Sequence, residues 1–583
     1  MRAEAIILAG DDGLSSQNGN LAKLLDFFGV SWRTSSVSEC LVRREGANGP
    51  TSRLLCSAER FLELITSFEQ DPDGVDQWRE QIHSAFVYGE DDIASLQKLA
   101  KLLAGSETPS LQNSVNGELL VSNKLPDFCG VMAGVRIKTN QAGAQPTFAW
   151  PQGDQSTEII TQGHGAVFLN LEYEKVPIFL CTNRDIIDLE SALPDGIFDL
   201  RDHALRALPV VLYVKWAFAQ ECWNAPERSA CLVIDDPLLK ATYGFVNFRE
   251  LLSLMQRHNF STNIAFIPWN WRRSDPEVAR IFRENPEHYS ISIHGSVHTQ
   301  AEFGTGDAVR LLNKVKRALG EMDRHELATG ISHDRVMVFP QGVFSEAAMK
   351  VLKGTDFIAA VNNDTISADR EPRTITIADV WDTAVMAYGN FPLFTRRYPW
   401  SGIENFAFDS LLGKPVVIVI HHDFCRDQCA RLIDFMERLN ALACRLTWRS
   451  LGELVKGSCR QRSLSEELVE VEMYATELRI ENPSAHSKRF LIKRREADPS
   501  TIKEVCAGVR SISWESSGEG IQFAVDLEAR EAVMIRVRFH ELVAEGDGTD
   551  NLPDRARIML RRYLCEFRDN YVHKVSAFSS YEN

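Results

Sequence analysis

Leu232-Val-Ile-Asp-Asp-Pro237, near the middle of a 583-residue chain, decides how the rest is read. Cys231 to Ile234 is apolar and β-branched, the composition of a buried strand. The run stops in two adjacent carboxylates, Asp235 and Asp236, and Pro237 removes the next backbone donor. Acids at the carboxyl end of a core strand stand where parallel α/β folds place their chemistry. Side chains alternate along a strand, so the two acids take different jobs unless the strand end twists. A lone pair of this kind more often caps a loop or helix than catalyses.

The pair is not alone. Ser290-Ile-Ser-Ile293 reads as a second strand and ends in His294-Gly-Ser-Val-His298. Two histidines four apart can face one ion if the segment after the strand turns helically. Pro415-Val-Val-Ile-Val-Ile420 is the most strand-like run of the chain and ends in His421-His422-Asp423. Three core strands ending in acid or histidine within one segment point to a site. One Asp and two His around a metal leave positions open for water and substrate, and suit Zn²⁺, Co²⁺, Mn²⁺ or Ni²⁺.

Over roughly residues 225–457 these motifs resemble the polysaccharide deacetylase (NodB-homology) superfamily. The matching pieces are Asp235-Asp236, His294-x-x-x-His298, the loop Val338-Phe-Pro-Gln-Gly342, a histidine at 421 or 422, and the closing Leu446-Thr-Trp-Arg-Ser-Leu451. The resemblance implies an irregular (β/α) barrel and a metal-dependent hydrolase removing an acyl group, an N-acetyl of a carbohydrate above all. By the same resemblance Asp235 is the base. Asp236, His294 and His298 hold a divalent transition metal, zinc first, and His421 or His422 is the acid. Two departures stand out. Gly295 occupies a place where the family carries Ser or Thr. Val338 and Gln341 stand where it carries Arg and Tyr, so the arginine that tunes the acid pair is missing from its expected place. The backbone amide of Gln341 or Gly342 can still donate to an oxyanion, because a peptide N–H needs no particular side chain. Asp379-Val-Trp381-Asp382 is a further candidate for a supporting carboxylate.

Pro268-Trp-Asn-Trp-Arg-Arg273 follows the next strand, Asn263 to Ile267, at the expected mouth. Trp269 and Trp271 are candidates to stack on sugar rings, or else to pack against the barrel. Tyr398-Pro-Trp400 is a second aromatic candidate for the same rim. Two other functions stay open: hydrolysis of another C–N bond on a non-sugar substrate, and a non-catalytic carbohydrate-binding scaffold.

The flanks suggest further domains. Residues 1–200 alternate strand and helix early, as in a flavodoxin-like α/β domain, with a mixed insertion later. Its turn Gly10-Asp11-Asp12-Gly13 lacks Gly-x-Gly-x-x-Gly, so no dinucleotide site is expected. Residues 201–227 suggest a linking helix anchored by Trp216 and Trp223. Residues 228–457 are the barrel, whose helix from Asp307 to Leu327 should turn Val309, Leu312 and Val315 inward. Residues 458–543 alternate with period two, as in a small β-sandwich. Residues 544–583 form a helical tail, with a helix from Pro553 to Arg568 entered through Asn551.

Net charge is −16, which argues against a nucleic-acid partner. The longest apolar stretch, Ala207 to Ala219, is broken by Pro209 and Lys215 and falls short of the ~20 residues of a membrane span. The N-terminus does not read as a signal peptide. Twelve cysteines without a dense framework fit reduced thiols, and with them a cytoplasmic location. Oligomeric state is not set by the sequence.

Overall fold

Cys231 to Ile234 lies where its composition predicts, in the strand Ser229–Asp235, buried along its whole length. The computed structural model describes residues 3–542 and 552–572, apart from 11–14, 41–51, 69–72, 90–92, 105–108, 115–116, 141–144 and 150–156. Asp11, Asp12 and Asn551 thus lie outside the described residues.

Ser229–Asp235 is interior to a curled parallel sheet of eight strands. On one side follow Thr262–Phe266, Tyr289–His294, Asp334–Val338, Ala359–Asn362 and Leu393–Thr395; on the other lies Val416–Ile420, and Thr447–Trp448 pairs with Ser229 and Ala230 at the start of the central strand. The two outer edges meet at a single bridge, Arg397 to Ile418, so the curl closes through one residue. Parallel strands carry their carboxyl ends to one rim. Asp235, His294, Val338 and Ile420 are therefore brought to the same end of the sheet.

The crossover helices start where their caps predict. Asn247 caps Phe248–His258, and Asp275 caps Pro276–Glu284 with proline at the first turn. Asp307 caps Ala308–Thr329, which buries Leu312 and Val315. Val309, in the first turn of that helix, is exposed instead. The last long helix begins at Ala430, behind three successive left-handed residues, Asp427, Gln428 and Cys429.

The first region is one mixed sheet of eleven strands. Trp32–Ser35, Glu4–Leu8, Ser52–Ser57 and Ile82–Tyr88 run parallel in that order, and Val176–Cys181 joins parallel beside the last. Gly165–Tyr173, Glu158–Gln162, Glu118–Val121 and Arg136–Lys138 then extend the same sheet antiparallel. The later segment, which the sequence allows as a continuation of the first domain or as a small mixed insertion, continues the same sheet. Leu200–Phe218 packs this region against the curled sheet. Its Pro209 offers no N–H to Leu205, whose carbonyl accepts from Asn183 at 3.3 Å instead.

Residues 459–539 form two sheets, of five and four strands, around one shared apolar core. One pairing, Leu468–Met473 with Lys488–Arg495, is parallel. After them the helix Leu552–Phe567, extended by a wide turn over Arg568–Val572, returns to the rim of the curled sheet. None of the described helices is long and apolar enough to cross a membrane, and all twelve cysteines are free thiols.

Candidate metal centre

The twist that the adjacent acids require is present. Asp236 leaves the strand with φ +80°, in the left-handed region where non-glycine residues are uncommon and strained by about 1–3 kcal/mol. That turn swings its carboxylate toward the histidines at the end of Tyr289–His294, the next strand but one. Asp236 Oδ1 lies 3.2 Å from His298 Nε2 and 3.7 Å from His294 Nε2. One ligand atom from each of Asp236, His294 and His298 lies within 4.8 Å of the others.

The histidines are aimed by their surroundings. His294 is buried, and its Nδ1 lies 3.0 Å from the Val338 carbonyl. A carbonyl only accepts, so Nδ1 carries the proton and the Nε2 lone pair faces Asp236. The loop to His298 is not helical. It wraps around the buried Glu302 carboxylate, which accepts from the N–H groups of Ser296, Val297 and His298 at 2.9–3.2 Å. Gly295 has φ +64°, and a Cβ there would stand 2.4 Å from Pro340 and 2.6 Å from the Glu302 carboxylate. The glycine that departs from the resembled motif is thus required by the tightness of this loop.

These residues suit a divalent transition ion. Asp236 Oδ1 is buried and makes no hydrogen bond. Burial opposes the ionised form of Asp236, but the charges of His298 and His294 more than offset it, and its pKa lies below the ordinary carboxylate value. Burial, aided by the His294 charge, lowers His298 to about 4. An ionised carboxylate and a neutral imidazole at His298 are states that a metal requires of its ligands.

Asp235 faces another way. Burial would raise its pKa, but the Arg396 charge, with help from His294, holds it at about 2. Arg396 donates to both Asp235 oxygens at 2.7 Å, and its Nε donates to Asn363 at 2.9 Å. The arginine that meets Asp235 thus follows Leu393–Thr395 and does not lie near Pro340. Arg396 also lines a cleft of about 140 Å³ together with Asp364, Tyr398 and Ser401.

His421 and His422 diverge. His421 lies within electrostatic reach of Asp235 and stacks on Tyr398 at 6.3 Å, and Tyr398 stacks on Trp400 at 4.2 Å. Trp400 is exposed, so this ladder reaches solvent. His422 is buried, packs edge-on to Tyr243, and has Nε2 3.7 Å from Asp569. Gln341 takes φ +60°, and its side-chain oxygen accepts from Ala301 at 3.2 Å. The Gly342 amide donates to Phe339 at 3.3 Å. Trp269 is half-buried, with its amide bonded to the Ser296 carbonyl of the histidine loop. Trp271 has Arg272 at 4.4 Å and Arg324 at 5.9 Å from its ring, so cations already occupy it.

Asp379 and Asp382 are elsewhere. Asp379 completes a capping box with Thr376. Asp382 is held by Arg460, Arg495 and Tyr474 at the junction with the last two sheets. Both are too committed to other partners to support the metal centre.

The C-terminal helix is the contribution that no motif announced. Glu566 accepts from Lys240 and Arg273, and Asp569 accepts from Tyr243 Oη at 2.7 Å. The Asn570 side chain accepts from the Gly244 amide at 2.8 Å. Three of these four partners, Lys240, Tyr243 and Gly244, lie on the segment that immediately follows Asp235 and Asp236.

No family model and no curated protein matches this chain. Among solved structures it is similar to Agd3, described as a novel carbohydrate deacetylase, at 8% identity over 92% of this chain and 98% of that one, TM-score 0.45. It is also similar to a family 4 carbohydrate esterase from Streptomyces lividans in complex with acetate, at 12% identity over 37% of this chain and 89% of that one, TM-score 0.24. A family 4 acetyl xylan esterase from Clostridium thermocellum, in complex with a cobalt ion, gives 11% identity over 39% and 89%, TM-score 0.23. Such values assign no activity to this chain.

Proposed function

We propose that this protein is a metal-dependent hydrolase that removes an acyl group, N-acetyl first, from a carbohydrate. The observation that carries the reading is the convergence of Asp236, His294 and His298 within 4.8 Å beside the buried Asp235. We read the curled sheet as an irregular barrel of deacetylase type, the first region as flavodoxin-like, and the last two sheets as a β-sandwich.

Asp236 Oδ1, His294 Nε2 and His298 Nε2 would hold the ion. When bound, a divalent ion supplies Lewis acidity, polarising the acyl carbonyl and acidifying water. Asp235 receives a proton at a carboxylate that Arg396 keeps ionised and aligned. A base near 2 accepts only from an acidified donor, so its role presupposes that environment. His421, within electrostatic reach of Asp235 and braced by Tyr398, gives a proton to the departing amine. His422, turned toward Asp569, anchors the C-terminal helix. The Gln341 amide is the donor we assign to the developing oxyanion, and the Tyr398–Trp400 ladder is the surface we assign to sugar stacking.

Metal analysis of the purified full chain, beside Asp236→Ala and His294→Ala, tests this. About one transition ion per chain in the parent, lost from both folded variants, is expected, followed by acetate release from N-acetylated sugar oligomers. A parent that binds no ion even after reconstitution removes the hydrolase.

A further inference from the structure

Arg562 is 7% exposed and sits on the C-terminal helix, one turn before Glu566. Its Nε is buried without a hydrogen bond, and the nearest partner of its terminal nitrogen is the Cys565 sulfur at 3.8 Å. Among the described residues it has no carboxylate partner. A buried, unpaired guanidinium is rare, because removing it from water costs several kcal/mol unless an anion answers it.

The carboxylates around it are taken. Glu566 is paired with Lys240 and Arg273, and Asp569 with Tyr243, His422 and Arg568. These contacts pin the helix over the segment after Asp236, and they leave Arg562 within electrostatic reach of Asp236, His298 and Tyr243. Asp236 is the acid in that reach, and under the proposed function its charge is consumed by the ion. A guanidinium and a divalent ion then face one site and repel unless an anion lies between them.

We propose that Arg562 is the receptor for an anionic substituent of the substrate, a carboxylate or phosphate carried on the acylated sugar. The inference rests on the proposed site but names a substrate class that the metal trio alone does not select. A planar guanidinium binds such a group through paired N–H donors, on a protein whose overall charge of −16 otherwise repels anions.

The test uses the full chain loaded with Zn²⁺ and calorimetric binding of three probes: N-acetylglucosamine, its lactyl-carboxylate analogue N-acetylmuramic acid, and acetate. The acidic sugar should bind about 10- to 100-fold more tightly than the neutral one, as expected for a charge-assisted pair. Arg562→Gln should close that gap, and Arg562→Lys should restore part of it, with metal content and unfolding midpoint unchanged in both. No gap in the parent, or a gap that survives in Arg562→Gln, overturns the proposal. Loss of acetate affinity equal to the loss for the acidic sugar overturns it too, by assigning Arg562 to the released acid. An Arg562-dependent gap without hydrolysis of any acylated sugar keeps this inference and removes the hydrolase. Hydrolysis without such a gap does the reverse.

Discussion

Asp235 and Asp382 are buried to the same degree, each side chain 5% exposed, and each is held by arginine. Both keep an ionised carboxylate against the burial that opposes it. Yet one stands at a candidate centre and the other is a strut. Asp382 receives Arg460, Arg495 and the Tyr474 hydroxyl, and its own carbonyl accepts from Lys414 at 2.7 Å. Its donors come from the last two sheets and the edge of the curled sheet, so it ties regions together. Asp235 has Arg396 as its ion-pair partner, and its chain neighbour Asp236 keeps a buried oxygen with no hydrogen bond. The pairing of a buried acid therefore does not mark a site. The convergence of Asp236, His294 and His298 beside Asp235 does, and no such cluster gathers at Asp382 among the described residues.

The largest effect should come from breaking the strut. Asp382→Ala leaves the buried Arg460 without its carboxylate and should cost about 3–5 kcal/mol, read as a fall in the urea midpoint. Metal content per folded molecule should not change. Arg396→Leu should cost somewhat less, about 3 kcal/mol, since only one buried charge is stranded. It should also alter the acid limb of stability. A carboxyl near 2 when folded and near 3.9 when unfolded stabilises the fold above pH 4, by about 2.5 kcal/mol, and that share is lost as pH falls from 4 to 2. The parent should show this loss in midpoint against pH, and the Arg396→Leu variant should lack it.

Asp236→Gly sharpens the contrast from the other side. Glycine accepts φ +80° freely, so the metal-free variant should be as stable as the parent or up to about 1 kcal/mol more so. Saturating Zn²⁺ at about 100 times its Kd should raise parent stability by about 2.7 kcal/mol and leave the variant unmoved. A metal-free variant that is instead much less stable would make Asp236 another strut. The smallest effect belongs to Trp400→Ala. Its exposed ring should change stability by no more than about 0.5 kcal/mol. Affinity for chitin oligomers should weaken by about 2- to 10-fold, as one stacking contact allows.

The sequence was most legible where chemistry sits on long apolar strands. Asp235, Asp236, His294 and His298 follow runs whose burial the composition announces, and parallel pairing carries them to one rim. It was opaque where a partner arrives from far along the chain. Arg396 reaches Asp235 across 161 positions, behind a strand of three residues too short to show a period. The two histidines can face one ion on a helical turn, but here Glu302 builds the loop between them from three backbone amides in a way no spacing rule encodes. The C-terminal helix misleads outright. On it Met559, Leu560 and Leu564 are exposed, yet Arg562 is buried. Ion pairs to Lys240 and Arg273, rather than hydrophobic burial, decide which side turns in. The early helices and strands of the first region were readable, but continuation of its sheet through Gly165–Tyr173 depends on long-range pairing.

The clasp between Tyr243 and Asp569 joins residues 326 positions apart. A ribosome adding about 5–20 residues per second separates their emergence by roughly 15–65 s. The segment that follows Asp236 therefore leaves the ribosome well before the helix that clasps it exists.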